Sequence, residues 1–204
     1  MITKLQNINK EKVIDPLLKL TLSLGATDVK TISPSDLSVE SEIVDMCRGQ
    51  KCDGYGLTVN CPPYTMKPST FKEYIRRHII ALVFKFDVPA EVLLTDKRHD
   101  IARIVHETAS AIEQKAVKIG YKESMGLAAG SCKEIFCKQF YDCRALNKGL
   151  PCRFPEHARP SMSGLGINFF ELAKALEWPI HKMTRYTDPK KTPSGMMAGM
   201  VLIG

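Results

Sequence analysis

The sequence predicts a mixed α/β or α+β fold: a single domain over residues 1–204, with a mixed sheet flanked by helices and two cysteine-rich loops. Three observations predict it. Short apolar runs of strand length alternate with segments that repeat apolar residues at three- and four-residue steps. No low-complexity linker or block of like charge divides the chain. All seven cysteines fall in two segments, 47–61 and 132–152, and the rest of the chain has none.

The elements follow in order. Val13, Ile14, Leu17, Leu18 and Leu24 keep helical spacing, so an opening helix is expected over 9–24, with Gly25 as its stop. A short strand over Asp28–Ile32 ends at Ser33–Pro34, and a short helix is expected within 35–46. After Cys61 the pair Pro62–Pro63 excludes helix and predicts an extended, stiff exit. Thr70 and Glu73 have capping-box spacing, which puts a helix start near Thr70. Ile79–Phe86 reads as a buried strand. Ile101, Ile104, Val105, Thr108, Ile112 and Ile119 predict a long helix over 96–119, stopped by Gly120. Glu123–Ala129 is a further strand, Asn168 and Glu171 cap a helix over 168–177, and Pro179–Met183 and Ala198–Ile203 are closing strands.

Composition bounds the function. The chain is 44% hydrophobic and 25% charged, enough to bury a core without staples. Lys4, Lys10, Glu11, Lys12 and Asp15 interrupt the first eighteen residues and leave no signal-peptide core. The longest strongly apolar run, Ile79–Phe84, is far short of the roughly 20 residues that cross a bilayer. A cytoplasmic protein is therefore expected. In that reducing compartment clustered cysteines point to metal ligation or thiol chemistry rather than disulfides, and an odd number cannot all pair within one chain. The formal charge of +7 is a mild surplus that suits solubility, an acidic partner, or the balancing of metal-bound thiolates.

Cys47, Cys52 and Cys61 stand in a polar, glycine-rich stretch, as a loop wrapped around an ion would. Cys132, Cys137, Cys143 and Cys152 follow the spacing C-x4-C-x5-C-x8-C, wider than the knuckles of a zinc ribbon and closer to loops around an iron–sulfur cluster. Both segments thus read as metal-binding loops. Cys132 and Cys137 are separated by roughly 140° on an ideal helix, so one of them must sit off it. The first segment supplies three thiols and leaves a fourth position for another side chain, solvent or a substrate; Asp53, Asn60 and Tyr64 are within reach of it in sequence. Among the histidines, His78, His99 and His106 read as structural or surface residues, and His157 and His181, near or after the second segment, remain candidate ligands.

The runs Cys47-x4-Cys52-x2-Tyr55-Gly56, Cys61-Pro62-Pro63-Tyr64 and Cys152-Arg153-Phe154-Pro155-Glu156-His157-Ala158-Arg159-Pro160-Ser161-Met162 resemble the predicted metal-binding family termed domain of unknown function 2284, from about residue 25 onward. The resemblance implies a small prokaryotic protein with iron–sulfur or other metal ligation, and no particular reaction. Arg153 and Arg159 match its signature and are candidates to hydrogen-bond a cluster or an anionic ligand; a loop-anchoring role is the alternative. The family pattern spaces its second group of cysteines more tightly. It also carries a further cysteine where this chain reads Ser163–Gly164–Leu165–Gly166.

The leading functional expectation is a redox protein carrying one or two [4Fe–4S] clusters, with a redox protein as partner and neither membrane nor nucleic acid involved. Lys and Arg are dispersed rather than interleaved with aromatics, against a nucleic-acid platform. The alternatives are a zinc-stabilised interaction module and an enzyme using an open three-cysteine site. No C-x-x-C pair, P-loop or dinucleotide fingerprint is present.

Overall fold

The computed structural model describes residues 14–204 apart from 50, 51, 182 and 185. Its centre is a four-stranded sheet in the order β1-β2-β4-β3, formed by β1 (Asp28–Ile32), β2 (Ile80–Pro89), β3 (Met125–Leu127) and β4 (Ser194–Ile203). Every ladder is antiparallel. The expected mixed character survives among the described residues only as the isolated parallel bridge between Ala128 and Ser161.

β2 and β4 lie inside because both are apolar on both faces. Ala81 and Val83 of β2, with Ala198, Met200 and Leu202 of β4, enter one core; Leu82, Phe84, Val201 and Ile203 enter the other. The predicted strands Ile79–Phe86 and Glu123–Ala129 are therefore not neighbours: β4 stands between them, and β3 is a three-residue edge strand.

The second core is closed by a helix over 14–23 (α1) and by α5 (Arg98–Lys118), whose buried stripe includes Ala102, Val105, Ala109, Ile112 and Ala116. Residues 9–13 of the expected opening helix lie outside the described residues. The first core is covered by α3 (Pro68–Ile75) and α8 (Phe169–Ala175), with Phe71, Leu165, Ile167 and Trp178 packed against the sheet.

Several boundaries differ from expectation. Helix α2 runs over Ser41–Gly49 rather than 35–46, because Ser38 and Glu40 are held extended: Glu40 N–H donates to Gly166 O at 2.8 Å and Asn168 N–H to Ser38 O at 3.1 Å. Helix α3 starts at Pro68, with proline in its first turn, so Thr70 is interior and does not cap. Asn168 does cap α8, accepting from the N–H groups of Phe170 and Glu171. Pro62–Pro63 lies in a turn with a cis peptide bond, not in an extended exit. The described residues of 179–183 form no strand: Glu177 adopts φ 54°, Pro179 has no N–H for a ladder, and the chain crosses the end of the sheet instead. Short helices α4 (Ala90–Leu93), α6 (Cys132–Phe136) and α7 (Arg144–Lys148) complete the list.

Candidate metal centre

The first cysteine group forms where α2 ends. Cys47 stands in the last turn of α2, and the chain turns back so that Cys52 N–H donates to Cys47 O at 3.2 Å. Further turns close the loop, with Gly56 N–H donating to Pro62 O at 2.7 Å and Cys61 N–H to Thr58 O at 3.3 Å. Cys52 is exposed, Cys47 half-buried and Cys61 buried. The Cys47 thiol donates a hydrogen bond to Cys52, which lowers Cys52 to about 6 and raises Cys47. Burial raises Cys61.

The second group is laid out by short helices. Ser131 caps α6, accepting from Lys133 N–H, and places Cys132 in its first turn. α6 stops at Phe136, so Cys137 sits just beyond the helix with φ −120° and ψ 16°, which resolves the angular conflict of a five-residue spacing. Cys143 is the residue before α7, and Cys152 follows it in an irregular segment. Cys132, Cys137, Cys143 and Cys152 all line one cavity of about 20 Å³, together with Asn60, Lys133, Arg144 and Arg153. No carboxylate or imidazole is among its lining residues.

Cations hold this loop in shape. Lys133 Nζ donates to the carbonyls of Cys137 (2.9 Å) and Phe140 (2.6 Å). Arg144 donates to Pro151 O (2.5 Å) and Cys152 O (3.2 Å). Arg153 donates to the carbonyl and carboxylate of Asp142 at 2.7 and 3.0 Å and lies 4.3 Å from the centre of the Phe140 ring. The Arg153 guanidinium holds Asp142 below the usual carboxylate range. Carbonyls that would repel thiolates are thus occupied by positive charge, while Phe154 N–H donates to Cys152 Sγ at 3.4 Å.

The two groups touch. Gly54 packs so closely on Ser131 that a Cβ there would stand 2.5 Å from the Ser131 Cβ and 3.2 Å from Cys61 Sγ. Cys61 Sγ lies 3.6 Å from Ser131 Oγ, and Asn60 Nδ2 is 3.6 Å from Cys132 Sγ. Burial raises Cys132 to about 11, against the opposing pull of Asn60 and Thr58. Among the described residues no three His, Cys, Asp or Glu side chains already stand in a ligating arrangement. Cys137, Cys143 and Cys152 are half-buried free thiols.

The two signature arginines differ in place. Arg153 lines the four-cysteine cavity. Arg159 is buried against α5, donating to Glu113 (2.9 Å), Ser110 Oγ (2.9 Å) and the carbonyls of Pro155 and Ala158 (both 3.0 Å). Its own N–H donates to His106 Nδ1 at 3.1 Å. Glu113 in turn accepts from Gly126 N–H of β3, tying α5, the sheet edge and the loop after Cys152 together. Sequence reasoning missed Ser131, Gly54 and Glu113, whose partners lie far along the chain. His157 stacks on Phe136 and His78 bonds the carbonyls of Tyr74 and Glu123, whereas His99 lines a cavity together with Cys52. Asp53 lies beside Cys52, whereas Tyr64 faces solvent. Leu165 is fully buried in the first core.

Four thiols around one cavity and three more beside it form a donor set suited to a soft metal. The chain belongs to the family described as predicted metal-binding protein, DUF2284, whose family model matches residues 30–203. Neither the curated proteins nor the solved structures contain a match to it. Among the described residues no helix is long and apolar enough to cross a membrane.

Proposed function

We propose that Cys132, Cys137, Cys143 and Cys152 ligate a [4Fe–4S] cluster and that the protein passes electrons to a redox protein partner. The observation that carries this reading is that all four cysteines line one cavity with no carboxylate or imidazole, and with Lys133, Arg144 and Arg153 around it. A bound cluster supplies reversible one-electron chemistry. The chain's own residues set its conditions. Arg153, held by Asp142, offsets the negative charge of four thiolates, and Phe154 N–H donates to the Cys152 sulfur. Arg159 acts as the anchor of the loop, since its donors are engaged by Glu113, Ser110 and backbone carbonyls. Cys47, Cys52 and Cys61 form a second, three-ligand group whose remaining position is open to solvent or substrate through exposed Cys52.

A zinc reading is favoured by one observation: a cavity of about 20 Å³ has room for a single ion as it stands, whereas a cluster requires the thiols to turn outward. One experiment separates the two. Protein purified without oxygen is assayed for iron, zinc and acid-labile sulfide, with a visible spectrum of the same sample. The expected result is about four irons and four sulfides per cluster, with absorbance that bleaches on reduction. Stoichiometric zinc without sulfide would replace electron transfer by a structural role. Cys143→Ser is expected to remove this centre, and Cys52→Ser to leave it in place.

A further inference from the structure

Strand β2 carries a lysine where its pattern calls for an apolar residue. Ala81, Val83 and Lys85 share one face, and Lys85 is only 7% exposed. A buried ammonium is retained only where it is paired. Lys85 Nζ donates to both carboxylate oxygens of Asp87, at 2.7 and 2.8 Å, and lies 5.7 Å from the ring centre of Trp178. Asp28, directly across the ladder from Lys85, is occupied by Trp178 Nε1, which donates to it at 2.7 Å.

This charge pair borders a cavity of about 560 Å³, larger than the one between the cysteines and within the range of small-molecule sites. Leu93, Phe169, Phe170, Ile180, Met183 and Met196 line it. Gly195 lets Met183 and Leu93 pack close on the strand, since a Cβ there would collide with Met183 Sδ and stand 2.8 Å from Leu93 Cδ1, and both side chains would have to move.

The lining defines a ligand class. Phenylalanines and thioethers favour an aromatic body. Among the described residues Lys85 is the buried cation on this wall, and it is already neutralised by Asp87, with Asp28 beside it, so it offers a free anion little. An ammonium has three donor hydrogens, and among the described residues Lys85 has no acceptor besides Asp87, which leaves donor capacity for a neutral oxygen. We propose that this cavity binds a flat aromatic molecule bearing a carbonyl oxygen, a quinone-like ligand, with Lys85 as its hydrogen-bond donor. The proposal goes beyond the metal reading and uses none of its residues.

Trp178 is the single tryptophan of the chain and stacks beneath Lys85, so its fluorescence reports on the site. The probe is 2,3-dimethyl-1,4-naphthoquinone, whose blocked ring positions spare the thiols, titrated into the full-length protein. The expected result is saturable quenching, weakened about tenfold by Lys85→Met through loss of the hydrogen bond. Phe170→Ala, at a half-exposed position, is expected to weaken it as well. 2,3-Dimethylnaphthalene, which lacks the oxygens, should bind several-fold less tightly. Quenching that rises linearly without saturation would overturn the proposal, as would saturation unchanged in both variants. If Lys85→Met does not fold, an unaltered affinity in Phe170→Ala, or equal affinity for the two probes, overturns it. Iron and sulfide content is measured separately, so failure of the cluster reading leaves this titration informative.

Discussion

Gly54 and Arg159 show how much of the candidate site rests on single side chains, or on their absence. At Gly54 a methyl group would meet the Ser131 Cβ at 2.5 Å, so Gly54→Ala must push the two cysteine loops apart. The expected cost is about 1–3 kcal/mol by urea unfolding, with lowered metal retention. Arg159→Met leaves Glu113 without its partner and should destabilise by about 3–5 kcal/mol; adding Glu113→Gln should recover part of that, because the glutamine still accepts from Gly126 N–H. The cysteines were legible in the sequence because spacing along the chain is local information. Ser131 was not, since its sulfur partner lies 70 residues away, and Asn60, read as a neighbour of the first group, stands 3.6 Å from Cys132, 72 residues on. Lys85 was hidden for the same reason: its meaning depends on Asp87, Trp178 and a cavity wall drawn from four separate segments.

Among the elements, legibility followed the strength of local signals. Strand β1 was expected at Asp28–Ile32 and lies there, because Gly25 and Pro34 bound a short run with no competing period. Helix α5, with six periodic positions of which five are apolar, matches its expected span to within two residues at each end. Two capping boxes were read from the sequence, and of their caps only Asn168 acts, with its own N–H given to Ser38 O rather than to Glu171. Asn168 also donates to both carboxylate oxygens of Glu40, at 3.0 and 3.1 Å, so its position is fixed by tertiary contacts; Thr70 loses to Pro68, which begins the helix earlier. Asn168→Ala is expected to cost about 1–2 kcal/mol, more than a cap alone, because it releases the turn at Ser38–Glu40 too. Comparing its unfolding midpoint with that of Glu40→Ala checks the coupling: the double variant should lose less than the sum. Sheet order was the least legible feature. A three-residue β3 carries little pattern of its own, and its neighbour is decided by the doubly apolar β4 that arrives much later in the chain.

For the molecule as a whole, the buried network on α5 makes stability depend on pH. Burial, and next the charge of Arg159, lower His106 from 6.5 to about 4, and among the described residues its Nε2 has no hydrogen-bond partner. The unfolded chain takes up this proton near pH 6.5 and the folded chain only near 4. Above about pH 6.5 the residue is neutral in both states; as pH falls from there toward 4 the unfolded state gains, by on the order of 3 kcal/mol in all. Urea midpoints measured between pH 7.5 and 4.5 should therefore decline, and His106→Gln should flatten the decline. The order of the strands has a consequence in time. β4 fills the slot between β2 and β3, so β3, which leads into Ser131 and Cys132, has no ladder partner until residues 200–202 have been made. Cys152 leaves the ribosome about 50 residues sooner, a wait of roughly 3–10 s at about 5–20 residues per second. All seven thiols are thus born before their scaffold exists, and a metal must be delivered to a nascent chain that is unfinished or await release of the completed one.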